Sequence, residues 1–519
     1  MDSVFSKACG EITQSLLMIN NPSRVKVKEE IARVCSKYSL ARMPRNHEIL
    51  ATVRDSDFER LKKVLLKKPA KTASGVAVVA LMPKPYACPH GRCTYCPGGV
   101  EFNSPNSYTG KEPPSLNAID NNFDPKGQIT SKIQKLVAFG HDPSKMELVI
   151  VGGTFLFMPE KYQENFIKSC YDALNGTESA SLQEAKKNNE SAAIRNVGFT
   201  IETKPDYCKQ KHVDMMLHYG VTRVEIGVQS LQQRVYEIVN RGHTYKDVTE
   251  SFQISRDAGY KIVSHMMPGL PTMTPDEDIA DFGKLFSDPE LRPDMLKIYP
   301  SLVIENTPLY EQYKRGEYVP YSDEEMIRVL AEAKRIVPKW VRIMRIQREI
   351  TPGEITAGPK SGNLRQIVRE RMARDGTSCR CIRCREADPS KRSDMSLDRV
   401  DYDASGGREV FLSFEDKGGA IYGFLRLRHP STLAHRDEVS KCCIVRELHV
   451  YGRSLPLGER DTSEIQHSGL GKKLMHEAER IASEEFDAKK MLVISAVGTR
   501  QYYQKLGYSL YGPYMAKAL

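Results

Sequence analysis

VAVVALMPKPYACPHGRCTYCPGG, residues 76–99, joins a short apolar run to a loop carrying three thiols, Cys88, Cys93 and Cys96. The run 76–82 is rich in β-branched residues and is cut off by Pro83 and Pro85, which predicts a buried strand. No fourth Cys lies near the loop. A structural zinc site closes its shell with four ligands, and an all-thiolate iron–sulfur cluster also takes four. Three thiols leave one iron of a cubane open to a chelating small molecule. S-adenosylmethionine is the cofactor that exploits such an open iron for radical chemistry. The alternative is a three-Cys zinc loop completed by a histidine such as His90.

Beyond the loop, apolar runs alternate with helical periodicity. Strands are predicted at 147–153 (ELVIVGG), 197–202 (VGFTIE), 223–229 (RVEIGVQ), 261–267 (KIVSHMM) and 295–299 (MLKIY). Helices are predicted at 128–139, near 159–174, at 209–219, near 232–240, and at 249–258 and 276–286. Continuous apolar strands between helices mean parallel strands covered on both faces. The fold class is α/β, a partial or full β/α barrel whose active site lies at the C-terminal strand ends. The Cys loop follows the first strand and so belongs at that mouth. Gly152 and Gly153 end the second strand, where glycine lets a backbone approach a ligand. Glu202 and Gln229 end the next two, placed to hold a ribose or a carboxylate. His265 lies in the fifth strand, and Lys297 and Tyr299 on the sixth. A lysine in an apolar strand must pair with an anion or lose its charge.

The chain of 519 residues is too long for one core. Four segments are expected: 1–75, 76–350, 351–400 and 401–519. Residues 1–75 carry 15 Lys and Arg against 8 Asp and Glu, and residues 360–400 carry 11 against 6. Arg24, Lys26, Lys28, Arg42, Arg45, Arg60, Lys62, Lys63, Lys67, Lys68 and Lys71 make the first run. Such charge is either a solvated helical face or a seat for a phosphate backbone. The segment 351–400 opens with Pro- and Gly-rich breaks and contains Cys379-Arg-Cys381-Ile-Arg-Cys384. In this polar loop a zinc knot is expected, its fourth ligand being His449, or else Cys442 or Cys443. Mean hydropathy is −0.46, so no membrane helix is expected. The first residues lack a secretory signal, and 12 cysteines argue for metal sites and reduced thiols in a cytoplasmic protein.

In the last segment, antiparallel strands are predicted at 410–414, 420–428 and 443–451. Gln466-His-Ser-Gly469-Leu-Gly471-Lys472 then opens a helix at 472–485, with a strand at 491–496. Glycines at a helix N-terminus free backbone amides that, with the helix dipole, take up a pyrophosphate. The pattern resembles the GNAT acetyltransferases and their coenzyme A site.

The Cys loop, Val151-Gly-Gly-Thr154, Ile201-Glu-Thr-Lys-Pro-Asp206 and His265-Met-Met-Pro-Gly-Leu-Pro271 together resemble the radical S-adenosylmethionine enzymes. With the C-terminal segment, the chain from about residue 20 to Leu519 resembles the catalytic subunits of Elongator. One departure is the four-residue gap between Cys88 and Cys93, where most radical enzymes have three. The resemblance implies a [4Fe-4S] cluster on Cys88, Cys93 and Cys96, and Gly152 and Gly153 against the methionine amino group of S-adenosylmethionine. It implies acetyl-coenzyme A contacts from Lys145, Glu447, Leu448, His449, Val450, Leu470, Gly471, Lys472 and Tyr503. Cys379, Cys381 and Cys384 would hold zinc. The implied partners are tRNA and other Elongator-type subunits. The implied reaction is radical transfer of a carboxymethyl group to carbon 5 of the wobble uridine, with Lys297 and Tyr299 on the radical side and Glu447 and Tyr503 handling the thioester. Two alternatives stand beside it. One is a protein lysine acetyltransferase with Glu447 as general base and the iron–sulfur domain as a scaffold. The other is an RNA-binding subunit without turnover.

Overall fold

The computed structural model describes all residues except 1–2, 21, 41, 45, 51, 66–74, 389–393 and 452–468. At its centre is a seven-stranded sheet in chain order. The strands are β1 (Ala77–Leu81), β2 (Lys145–Ile150), β3 (Arg195–Thr203), β4 (Arg223–Gln229), β5 (Lys261–Met266), β6 (Met295–Ile298) and β7 (Arg342–Ile346). Every neighbouring pair is parallel. β1 and β7 do not pair, so the sheet is a half barrel with one open side. Alternate residues turn to opposite faces. Leu148, Ile150, Phe199, Ile201, Val224 and Ile226 join the core under the helices, while Glu147, Glu202, Glu225 and Lys297 line the concave side. The crossover helices begin where the sequence supplies caps. Asp124 accepts from Gly127 N ahead of Pro125–Ala138, and Thr274 forms a capping box with Glu277 ahead of Pro275–Ser287.

Six of these strands follow the predicted apolar runs. The seventh, β7, reads RIMRI. Arg342 and Arg345 interrupt its short run and hide it from any apolar-run criterion.

A second sheet has the order β8-β9-β10-β11-β12-β14-β13. Its strands are β8 (Met395–Ala404), β9 (Gly407–Asp416), β10 (Ile421–His429), β11 (Cys442–Val450), β12 (Lys490–Val493), β13 (Ser509–Tyr511) and β14 (Tyr514–Ala518). All pairs are antiparallel except β11 with β12, which run parallel over Cys442–Val445 and Lys490–Val493. A register shift opposite Arg426 and Leu427 bulges β11 at Arg446. β8 starts ahead of the boundary expected at 401, because its polar sequence carries no apolar run. The helix Leu470–Glu484 packs Leu474, Met475, Ala478 and Ile481 onto this sheet.

The N-terminal helices α1 (Ser3–Met18), α2 (Arg24–Lys37), α3 (Asn46–Leu50) and α4 (Asp55–Leu65) share a core of Ile12, Leu16, Ile31, Val34 and Leu61. Several of their basic residues are paired internally: Lys26 with Glu29, Arg33 with Glu30, Lys37 with Glu11 and Arg42 with Glu48. The basic run is thus partly neutralised by its own acids. Arg45, Lys67, Lys68 and Lys71, like Gln466, His467 and Ser468, lie outside the described residues. Among the described residues no helix is long and apolar enough to cross a membrane.

The second sheet packs against the N-terminal ends of the barrel strands through buried ions. Arg446 donates to Asp294 Oδ1 and Oδ2 at 2.6 and 2.7 Å and to Glu409 Oε2 at 2.7 Å. Arg428 donates to Asp257 Oδ1 from Nε at 2.9 Å and to Glu409 Oε1 at 2.9 Å. Arg426 donates to Trp340 O at 2.7 Å. All three arginines are fully buried.

Candidate active site

The Cys loop leaves the C-terminal end of β1 and is pinned on both sides. Thr94 N donates to Val239 O, Leu309 N to Thr94 O, and Arg92 Nη2 to Asn306 O. Each thiol faces a donor. Asn106 Nδ2 lies 3.2 Å from Cys88 Sγ, Ser107 N lies 3.2 Å from Cys96 Sγ, and Arg241 Nη1 lies 3.7 Å from Cys93 Sγ. His90 adds another. Burial and the nearby Lys204 and Arg241 charges lower His90 to about 3, so its ring is neutral. Lys204 Nζ donates to Nδ1 at 3.0 Å, which places the ring hydrogen on Nε2, 3.2 Å from Cys93 Sγ. In this arrangement His90 serves as a donor to sulfur.

Burial and the neighbouring thiols push Cys88 up to about 11, and burial also raises Cys96. A cationic centre is what would keep all three as thiolates at neutral pH. Donors aimed at every sulfur are the second shell that iron–sulfur clusters use, so the residues fit such a group. Two sets of three ligand atoms lie within 4.8 Å of one another among the described residues, Cys379 with Cys381 and Cys384, and Glu202 with Glu225 and His265. The Cys88, Cys93 and Cys96 sulfurs are not so closely set. Tetrahedral zinc with bonds of about 2.3 Å needs sulfurs roughly 3.8 Å apart. The Cys379 set has the size of a metal centre, and the Cys88 set is wider.

The expected fourth zinc ligands do not reach the Cys379 set. His449 stacks on Phe424 and packs against Tyr451. Cys442 donates to Val439 O at 3.0 Å, and Cys443 is buried in the core of the second sheet. Placing β11 in the middle of that sheet keeps all three away.

Gly152 and Gly153 have φ of +102° and +111°, and a Cβ on them would meet Pro105 Cβ at 2.9 Å and Asn106 Nδ2 at 3.0 Å. The close approach they permit is by the 105–107 segment, which carries two of the sulfur donors. Gln229 is left-handed at φ +73°, and its buried Oε1 has no hydrogen-bond partner.

Below the loop, Lys297 pairs with Glu225 and lies 3.6 Å from Glu202 Oε1. His265 Nε2 lies 2.8 Å from Glu225 Oε2, and its ring meets Tyr299 edge-on at 5.3 Å. Burial disfavours the charge on Lys297, but Glu225 outweighs it, with Tyr299 and Glu202, and holds the ammonium above its usual value. The same contact holds Glu225 well below the carboxylate range against burial. Lys297 is thus the cation of the Glu202–Glu225–His265 set. Glu225 and Arg241 were missed by sequence reasoning. Glu225 had a signal, an acid in an apolar strand. Arg241 had none, since a helix end places it.

One cavity of about 1190 Å³ is lined by the three loop cysteines, by Glu202, Glu225 and Lys297, and by Glu147, Arg223 and Arg342 at the opposite strand ends. Glu147 pairs with Arg223, and Arg342 donates to Tyr451 Oη at 2.7 Å. Glu447 accepts from Arg426 Nε at 2.8 Å and lies within electrostatic reach of Lys261, the first residue of β5. Lys145 begins β2 at this same end, beside Arg195. Leu448 and Val450 flank Gly471, where a Cβ would meet Tyr502 Oη at 2.8 Å. Leu470 is buried, Lys472 is exposed, and Tyr503 is packed into the core with Leu474 and Tyr508. The hydroxyl at the glycine turn is therefore that of Tyr502.

Residues 82–284 match the Radical SAM superfamily, 293–374 its C-terminal domain, and 5–73 the ELP3 N-terminal domain. The tRNA uridine(34) acetyltransferase of Methanocaldococcus jannaschii is 47% identical over 92% of this chain and 90% of its own. Elongator complex protein 3 of Drosophila melanogaster is 45% identical over 98% and 96%. The solved structure of the archaeal Methanocaldococcus infernus Elp3 with an N-terminal deletion superposes with a TM-score of 0.77 at 45% identity, covering 86% of this chain and all of that one. On this identity across nearly the whole length, the chain belongs to the family of Elongator complex protein 3 and the tRNA uridine(34) acetyltransferases, within the radical S-adenosylmethionine superfamily, whose members carry a [4Fe-4S] cluster and S-adenosylmethionine.

Proposed function

We propose that the chain is a tRNA-modifying acyltransferase that places a carboxymethyl group from acetyl-coenzyme A on carbon 5 of the wobble uridine. The observation that carries this reading is the single cavity running from the thiol loop to Arg223 and Arg342, at the ends of the strands that meet the second sheet. Cys88, Cys93 and Cys96 would hold the cluster, with Asn106, Ser107, Arg241 and His90 donating to their sulfurs. When bound, the cluster and S-adenosylmethionine would supply the radical chemistry that removes hydrogen from the acetyl methyl group; loss of the hydrogen at carbon 5, with S-adenosylmethionine as the net oxidant, balances the new carbon–carbon bond, and hydrolysis of the thioester releases coenzyme A. Lys297, held charged, donates to an acyl or uridine oxygen. Burial raises Tyr299, so its hydroxyl keeps its proton and offers a second donor. Gln229 presents a free acceptor to a ribose hydroxyl.

The second sheet, read as a GNAT domain, seats acetyl-coenzyme A along β11 and the N-terminus of Leu470–Glu484. Lys145, Glu447, Leu448, His449, Val450, Leu470, Gly471 and Lys472 would contact it, with Tyr502 at the turn and Tyr503 behind. Cys379, Cys381 and Cys384 would hold a structural zinc. The basic α1–α4 unit and the 360–400 run would bind tRNA by backbone and shape. The names of the relatives suggest companion subunits, and twelve free thiols suit a reducing cytoplasm.

Lysine acetylation finds less support. Burial opposes the charge on Glu447, but Arg426 and Lys261 outweigh it and hold the carboxylate below its usual value, which makes it a weak base for an ammonium. The test is a nucleoside digest of tRNA after anaerobic incubation with reconstituted protein, S-adenosylmethionine, a reductant and methyl-labelled acetyl-coenzyme A. Label in carboxymethyluridine that depends on S-adenosylmethionine supports the proposal. Label on protein lysines alone overturns it.

A further inference from the structure

We infer that Arg223 is the residue that receives the acyl carbonyl at the junction of the two sites, an inference that rests on the acetyl-coenzyme A reading above. Arg223 is the first residue of β4 and turns into the cavity. Two residues along the same face is Glu225, the partner of Lys297, so the two levels stand roughly 7 Å apart along the strand. Within electrostatic reach of the guanidinium lie Glu147, Glu225 and Glu447. It thus stands between the radical-side pair and the carboxylate on β11. Among the described residues Glu147 is its one side-chain hydrogen-bond acceptor, and its buried Nε has no partner there. A buried guanidinium donor without an acceptor is costly unless something completes it.

The chemistry around it selects the ligand. Glu147 touches the guanidinium, Glu225 and Glu447 lie within electrostatic reach, and Lys261 is the further cation there, so the positive charge at this level is already met and a further full anion gains little. A neutral, polarised carbonyl needs only a donor, and a thioester carbonyl is of that class. The acyl end of a pantetheine arm lying along β11 would enter at this level. Bound there, its carbonyl oxygen meets Arg223 and its methyl carbon points along the lumen toward Glu225 and Lys297. Free coenzyme A carries no carbonyl at that atom, so Arg223 discriminates the acylated form.

The experiment compares acetyl-coenzyme A with coenzyme A by titration calorimetry on the full-length protein, in the wild type, Arg223→Met and Glu147→Gln. The wild type should bind the acetylated form more tightly. Arg223→Met should weaken acetyl-coenzyme A by roughly 10-fold or more, the scale of a hydrogen bond to a charged group, and leave coenzyme A within about two-fold. Glu147→Gln is isosteric and loosens the guanidinium from its partner; it should raise the preference for the acetylated form. Equal losses for both ligands in Arg223→Met, or an unchanged ratio in both variants, overturns the assignment. If Arg223→Met does not fold, Glu147→Gln decides it alone. A wild type that binds neither ligand refutes the acetyl-coenzyme A reading instead, and the inference with it.

Discussion

Asp294→Ala should loosen the whole contact between the half barrel and the second sheet. Asp294 sits just ahead of β6 and is fully buried. Its Oδ2 accepts from Ile262 N at 2.9 Å and from Arg446 Nη1 at 2.7 Å, and its Oδ1 from Arg446 Nη2 at 2.6 Å. Arg426 Nη1 lies 3.6 Å from Oδ1. Removing the carboxylate leaves two buried guanidiniums short of an anion. Breaking a buried pair by deleting one partner costs about 3–5 kcal/mol, because an uncompensated charge stays behind. For a unit of about 150–250 residues, each kcal/mol lowers Tm by about 2–4 °C, so the first transition in a thermal scan should fall by roughly 6–20 °C. Asp294→Ala with Arg446→Ala should cost less than the sum of the single changes, since the double variant strands fewer charges. The pH dependence has a definite sign. Burial pushes Asp294 up, but Arg446 and Arg426 outweigh it and hold the carboxyl far below its usual range. The native state then binds fewer protons than the unfolded chain below about pH 4, so the stabilisation is complete above that pH and is lost as pH falls further. Acid stability should therefore differ between wild type and variant above pH 4 and converge below it. A Tm shift under about 2 °C, or additive single changes, would refute the account of the ionic contact.

Three further outcomes are expected. Replacing any one of Cys88, Cys93 or Cys96 by Ala should remove the visible iron–sulfur absorbance and abolish tRNA modification; wild-type modification in any of the three would sink the radical mechanism. Lys297→Met leaves buried Glu225 with His265 as its remaining hydrogen-bond partner, and should cost about 3–5 kcal/mol in urea unfolding and lower modification at least about 100-fold; near-normal turnover would remove Lys297 from the chemistry. Gly152→Ala forces a side chain at φ +102° against Pro105, which should destabilise by about 1–3 kcal/mol and displace the 105–107 segment, read as weakened cluster retention on gel filtration.

The barrel was legible because its strands are buried on both sides. Runs such as ELVIVGG and KIVSHMM have no other reading beside helical spacers, and the thiol loop follows the first of them. Gly152, Gly153 and Gly471 mark backbone positions that a side chain would obstruct, so they too speak from sequence. β7 and β8 stayed hidden because a strand at an edge or against an ionic interface uses arginines and aspartates where a core strand uses valine. The sulfur donors were hidden for a different reason. Asn106 lies beyond the thiol loop and Arg241 comes 148 residues after Cys93, whereas His90 was in view inside the loop and only its role was not.

The sequence by itself determined the local chemistry: which residues are thiols, where backbone must pass closely, and that a lysine at 297 needs an anion. Tertiary structure alone decided the partners. It chose Glu225 for Lys297 and set the Tyr502 hydroxyl at the glycine turn. It also kept His449 away from the second thiol set and put Arg223 in one cavity with Lys297 and the thiol loop. The physical reason is that period and propensity act over a few residues, whereas ion pairing and close packing depend on which distant strands end at the same level of the sheet.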